Sequence, residues 1–176
     1  MNRIESLRAS YARYVSLPWD SSLSGPQRIW FAVYDPADER RLRLRLDSFE
    51  VATRQGGHGW RLCDLTGAFA SWMAQQDYRD SYFESPEDLR SPHPDFEQSV
   101  ADQVRNALDA ADEQTVLAIT GVASLFGFMR VSKLTEMVEH SIRGRLLVFF
   151  PGECENNNYR LLDARDGWNY HAVPIT

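Results

Sequence analysis

Two short apolar runs bracket a helical segment between Thr115 and Glu153, and this arrangement constrains the fold more than any other stretch. Val116-Leu117-Ala118-Ile119 stops at Thr120-Gly121, and Leu146-Leu147-Val148-Phe149-Phe150 stops at Pro151-Gly152-Glu153. Continuous apolar runs of this length, closed by turn residues, are the mark of strands covered on both faces. The segment between them carries Val131, Leu134, Val138 and Ile142 at helical spacing. Strand, helical crossover and strand make a βαβ unit, which requires a parallel sheet.

The rest of the chain repeats the alternation. Ile4, Leu7, Tyr11 and Tyr14/Val15 share one face of a helix over residues 2–17, which Pro18 and the Ser21–Pro26 loop terminate. Arg28–Tyr34 reads as a buried strand; Asp35 caps the helix after it and Pro36 suits that helix's first position. The spacing of Leu42, Leu46, Phe49 and Thr53 carries that helix to about Arg54, before Gly56-Gly57-His58-Gly59 and a second strand, Trp60–Leu65. A helix through Phe69, Trp72 and Met73 and a short turn at Ser85-Pro86-Glu87-Asp88 follow, then a helix from Pro94 to Ala111 striped by Phe96, Val100, Val104 and Leu108. After the turn Asn156-Asn157-Asn158, the segments Tyr159–Asp163 and Tyr170–Ile175 are expected to close a hairpin around 164–169. The predicted architecture is a single α/β domain over residues 1–176. It is a three-layer sandwich with a mostly parallel sheet, Rossmann-like in outline, with a C-terminal β-hairpin and a strand order left open. Right-handed crossovers place the strand C-termini on one edge, where such folds bind ligands.

Charge excludes some functions. The net charge is −6, unevenly spread: residues 1–61 carry 10 Arg against 7 acids, and residues 62–113 carry 3 Arg against 12 acids. An acidic chain lacks the clustered positive charge that grips nucleic acid non-specifically, so direct nucleic-acid binding is not expected. The Arg40–Arg45 helix has Asp38, Glu39 and Asp47 beside it and reads as a solvated face. Residues 1–14 hold no apolar stretch of the signal-peptide kind, and the uncharged run Val116–Met129 is too short to span a bilayer. Cys63 and Cys154 have no metal-type spacing and read as thiols of a reducing, cytoplasmic compartment.

No catalytic motif stands out. The strand-end edge should gather Asp35, Asp64, Thr120, Gly121 and Glu153, with Arg130 and Lys133 shortly after the third strand. Carboxylates beside a Lys and an Arg can hold Mg²⁺ and phosphate. Capping explains Asp35 and Asp64 equally well, and tight turns explain Gly121 and Gly152. GxxxxGK[ST], GxGxxG and GxSxG are all absent, and Gly121-Val122-Ala123-Ser124 lacks the second glycine of a nucleophile elbow. The histidines, His58, His93, His140 and His171, show no zinc spacing. Neither a cofactor nor a metal is expected.

The last third carries a resemblance. LAITGVASLFGFMRVSKLTEMVE followed by RLLVFFPGECENNNYRLLD resembles the BrxB-type proteins of BREX bacteriophage-exclusion systems. The shared pattern is an apolar strand ending in Thr120-Gly121-Val122, a helix opened by Arg130-Val131-Ser132-Lys133-Leu134, and a strand ending in Phe150-Pro151-Gly152-Glu153. Val131 intervenes where the family pattern has Arg-Ser directly, and Glu153-Cys154-Glu155 adds an acid and a cysteine. These departures leave open a standard BREX locus or a related PglZ-containing one. Ala32–Pro36 and Trp60–Leu65 also fit, extending the similarity over nearly the whole domain. The resemblance implies a small cytoplasmic antiviral-defence component without enzymatic activity of its own. Its expected partners are a PglZ-type phosphatase-superfamily protein, a large ATPase and a DNA methyltransferase, and no catalytic residues transfer.

The expected function is therefore a non-catalytic adaptor. Its expected contact surface is Asp77–Glu84, with Tyr82 and Phe83 as anchors and Arg130 and Lys133 as further binding residues. The competing reading is a metal-dependent phosphodiesterase or nucleotide-binding domain built on Asp35, Asp64, Arg130, Lys133 and Glu153.

Overall fold

A computed structural model describes residues 1–168 and 172–176. In chain order the strands are β1 (Ile29–Tyr34), β2 (Gly59–Asp64), β3 (Thr115–Thr120), β4 (Arg145–Glu155), β5 (Asn158–Leu161), β6 (Ala164–Trp168) and β7 (Val173–Ile175). Five of them run in the order β2-β3-β4-β1-β7, and every neighbouring pair is parallel. The two central runs of the sequence, β3 and β4, are adjacent, with Leu117 opposite Leu146 and Ile119 opposite Val148.

Alternation along the strands builds the two cores of a three-layer sandwich. Ile29 and Phe31 of β1, Leu117 and Ile119 of β3, and Leu146, Val148 and Phe150 of β4 point to one face. There they meet α4 (Ala68–Ala74), α6 (His93–Asp109) and α7 (Val131–Val138) through Trp72, Phe96, Val100, Val104, Leu134 and Val138. Trp30, Ala32, Val116, Ala118, Leu147 and Phe149 point to the other. That face is covered by α1 (Arg3–Val15) and α3 (Leu46–Gln55), through Ile4, Leu7, Tyr11, Val15 and Phe49. Both faces of β3 and β4 are buried, which is why their sequences are apolar without interruption. α1 starts with a capping box in which the Asn2 side chain accepts from the Glu5 amide and the Glu5 side chain accepts from the Asn2 amide.

Three expectations are corrected. The helix expected to run unbroken to about Arg54 is split into a 3₁₀ turn (Pro36–Asp38), α2 (Glu39–Arg43) and α3. At Leu44-Arg45 the bonding tightens: the Arg45 amide donates to Leu42 O at 2.8 Å, and the Ser48 hydroxyl donates to Arg45 O at 2.6 Å, so the next turn begins afresh. Secondly, Pro151-Gly152-Glu153 does not end its strand. β4 continues to Glu155, Pro151 O accepts from the Leu162 amide at 2.8 Å, and Gly152 pairs with Leu161. A Cβ on Gly152 would lie 1.9 Å from Arg160 O, so close backbone approach, not a turn, requires this glycine.

Thirdly, the closing hairpin has different partners. β5 pairs antiparallel with β4 across a turn at Asn156-Asn157, both with positive φ (51° and 61°), the two-residue geometry that asparagine tolerates. β6 then pairs with β5, whereas β7 crosses to the opposite side and pairs parallel with β1. The expected start of the second hairpin strand, Tyr170-His171, lies outside the described residues. β5 folds back over the first core, where Tyr159 packs edge-on against Phe31 (ring centroids 4.8 Å apart) and Phe150 (5.6 Å).

Candidate partner-binding face

Asp35 and Asp64, two of the three strand-end carboxylates, are engaged locally. Asp35 accepts from the Ala37 amide at 2.9 Å, opening the 3₁₀ turn, and takes Arg3 Nη1 at 2.6 Å. Asp64 accepts both the amide (3.0 Å) and the hydroxyl (2.6 Å) of Thr66, with Arg43 Nη1 at 3.6 Å. Partial burial pushes the Asp64 carboxyl up, but the Thr66 hydrogen bonds and the Arg43 charge outweigh it and hold the group below the usual carboxylate value. Arg43 also pairs with Glu39 (2.7 Å), which accepts the Tyr34 hydroxyl. Glu153 sits in β4 opposite Arg160 of β5. No group of three or more His, Cys, Asp or Glu among the described residues is arranged to hold a metal ion. Burial, reinforced by the Asp64 charge, pushes the Cys63 thiol up to about 11, so it is packing rather than nucleophile.

The arginines of α2 and its flanks are mostly committed to nearby acids: Arg41 to Asp38 (2.9 Å), Arg43 to Glu39, and Arg45 to Glu5 (3.7 Å). This leaves little unbalanced positive charge there for a phosphate backbone.

Arg130 and Lys133 lie elsewhere, brought together with the hairpin. They line a cleft of about 520 Å³ with Arg165 and Asp166 of β6, bounded by Phe126, Gly127 and Phe128. Asp166 organises this corner. Its two carboxylate oxygens take the Val131 and Ser132 amides at 2.7 and 2.8 Å, and its carbonyl takes the Ser132 hydroxyl at 2.9 Å. A residue of β6 thereby caps α7, whose own preceding residue, Arg130, makes no side-chain cap. Burial of Asp166 raises its carboxyl above the usual value even against those amide bonds and the Arg130 charge.

A second cleft of about 410 Å³ adjoins the first across Gly127 and Phe128, and its walls are Phe69, Trp72, Leu89 and Phe96. Phe128 stacks on Phe69 with ring centroids 4.1 Å apart, yet remains 36% exposed, and Phe126 is 40% exposed. Gly127, at φ 83°, makes the turn that presents both rings. Beside this cleft, α5 (Arg79–Glu84) and the 3₁₀ turn Pro86–Arg90 carry the expected contact segment. Phe83 is 68% exposed and Tyr78 71%, whereas Tyr82 packs against the first core. Phe126 and Phe128 were missed as site residues because they sit inside the uncharged run that reads as core. The visible signal is the Phe-Gly-Phe spacing, in which glycine lets two large apolar side chains turn outward.

Exposed aromatic side chains beside cations make this a candidate recognition surface. No helix among the described residues is long and apolar enough to cross a membrane. Neither curated proteins nor solved structures offer a match to this chain. A family model described as "BREX protein BrxB" matches residues 70–175, from within α4 through β7, and includes the first cleft, all of the second but Phe69, and the Phe126–Phe128 turn. That span is narrower than the near-complete resemblance expected from the sequence, because β1 and β2 fall outside it. With more than half of its length matched, including the central βαβ unit, the chain belongs to the BrxB family of BREX proteins.

Proposed function

We propose that this protein is a non-catalytic adaptor of a BREX anti-phage defence system, holding a larger component, foremost a PglZ-type protein, against its aromatic face. The observation that carries the reading is the Phe126-Gly127-Phe128 turn, which leaves two phenylalanines partly exposed where the two clefts meet. Burying the exposed part of one such ring against a partner is worth roughly 0.5–1.2 kcal/mol. A fold with this much buried apolar surface gains nothing internally from leaving them in water. The exposed Phe83 and Tyr78 on the adjoining segment extend the face, and Arg130 and Lys133 supply its polar margin.

The test is co-purification of the tagged protein with the PglZ-type protein, ATPase and methyltransferase expressed from the same locus. Phe126→Ala with Phe128→Ala, and separately Phe83→Ala, should each reduce partner recovery while the melting transition stays cooperative. Tyr82→Ala is a poorer probe because Tyr82 also packs inward. Undiminished recovery with both sets of substitutions would refute the face as the docking surface. Metal-dependent cleavage of DNA, RNA or nucleotides that Asp64→Ala abolishes would refute the non-catalytic reading.

A further inference from the structure

The two clefts differ in electrical character, and the difference specifies the partner's chemistry. The apolar cleft is walled by Phe69, Trp72, Leu89, Phe96 and Phe128, while its neighbour across Phe128 holds Arg130, Lys133 and Arg165. Among the described residues, neither Arg130 nor Lys133 has a carboxylate within the 4.0 Å of an ion pair. Two acids line that cleft, Glu97 and Asp166, and Asp166, whose carboxylate oxygens accept the α7 amides, feels the Arg130 charge, so three cations stand against two acids there. Glu87, Arg90 and His93 also line the apolar cleft, so its outer side carries both signs of charge. The face therefore has an apolar centre and a cationic end.

We propose that this face accepts a linear segment of the partner protein in which an aromatic or aliphatic anchor lies within a few residues of an Asp or Glu. The anchor fills the apolar cleft beside Phe128, and the acidic side chain lies over Arg130 and Lys133. Charge complementarity selects an acidic over a basic segment, because a basic residue at that end would face the like charges of Arg130 and Lys133. This inference rests on the adaptor reading and adds the sequence chemistry of what is held.

Selection of a random peptide display library on the immobilised protein tests the proposal whatever the identity of the partner. Enriched peptides should combine an aromatic or aliphatic residue with a nearby acid. A synthetic peptide made from the enriched pattern should bind about tenfold or more weakly to Lys133→Glu, the scale expected when a charged contact becomes a repulsion, and less tightly as salt rises. Lys133 is exposed, so its reversal leaves the fold intact, and Phe128→Ala should abolish binding. Enrichment of basic peptides, no enrichment, or binding indifferent to Lys133→Glu would each overturn the proposal. If such an outcome coincides with partner co-purification that still depends on Phe126 and Phe128, only the segment chemistry fails; if that dependence is also absent, the adaptor face itself fails.

Discussion

Gly121 closes the third strand, and replacing it with alanine tests how tightly the strand-end turns interlock. Its φ is 78°, a region where an L-residue pays about 1–2 kcal/mol. An added Cβ would also stand 2.4 Å from the Thr66 hydroxyl, 2.5 Å from the Thr66 amide and 2.7 Å from Asp64 Oδ1. Relief requires the Asp64–Thr66 turn to move, weakening the two Thr66 hydrogen bonds to Asp64 and the Leu65 amide bond to Thr120 O at 2.9 Å. Losing one or two such bonds costs roughly 1–3 kcal/mol in all, for a total of about 2–5 kcal/mol. Gly127 supplies the internal control: its φ is 83°, but a Cβ there meets nothing within 4 Å. Gly127→Ala should therefore show the conformational cost alone, about 1–2 kcal/mol. Urea unfolding of both variants reads the difference directly as a shift of midpoint at constant slope. Equal destabilisation of the two variants would show that the Asp64–Thr66 turn gives way freely and would refute the steric argument.

Asp166→Ala should cost about 2–3 kcal/mol, because it leaves the Val131 and Ser132 amides without acceptors in a buried corner; Asp166→Asn, which keeps one acceptor oxygen, should cost less in the same unfolding assay. His58 stacks on Trp19 with centroids 3.5 Å apart, and burial lowers its ionisation below the usual histidine value. The unfolded chain then takes up a proton near pH 6.5 while the folded chain resists it, so stability should fall as pH drops from about 6.5 towards the folded value. His58→Gln should flatten that part of the pH–stability curve, and an unchanged slope would assign the effect to other groups.

Much of the fold was legible because single residues carry local physics. The uninterrupted apolar runs of β3 and β4 could only be strands buried on both faces, and the four-residue stripe Phe96–Leu108 could only be a helix against them. The motif that carries the family resemblance, from Thr120-Gly121 through Pro151-Gly152, lies within the span of the matching family model. Strand order, the partner of β7 and the placement of the β5–β6 hairpin depend on which open edge or face captures each segment. That choice is made by long-range packing, such as Tyr159 against Phe31 and Phe150, and leaves no local signature. The same holds for the candidate face. Composition marked Asp77–Glu84 as aromatic and charged, but tertiary structure turned Tyr82 inward and Phe83 outward. It also set the Phe126–Phe128 turn beside a cationic cleft completed by a strand 35 residues away from the helix it caps. Sequence determined which residues must be buried and in what periodic elements; only the packed chain decided which of the remainder share a surface, because that proximity is a property of distance in space and not along the backbone.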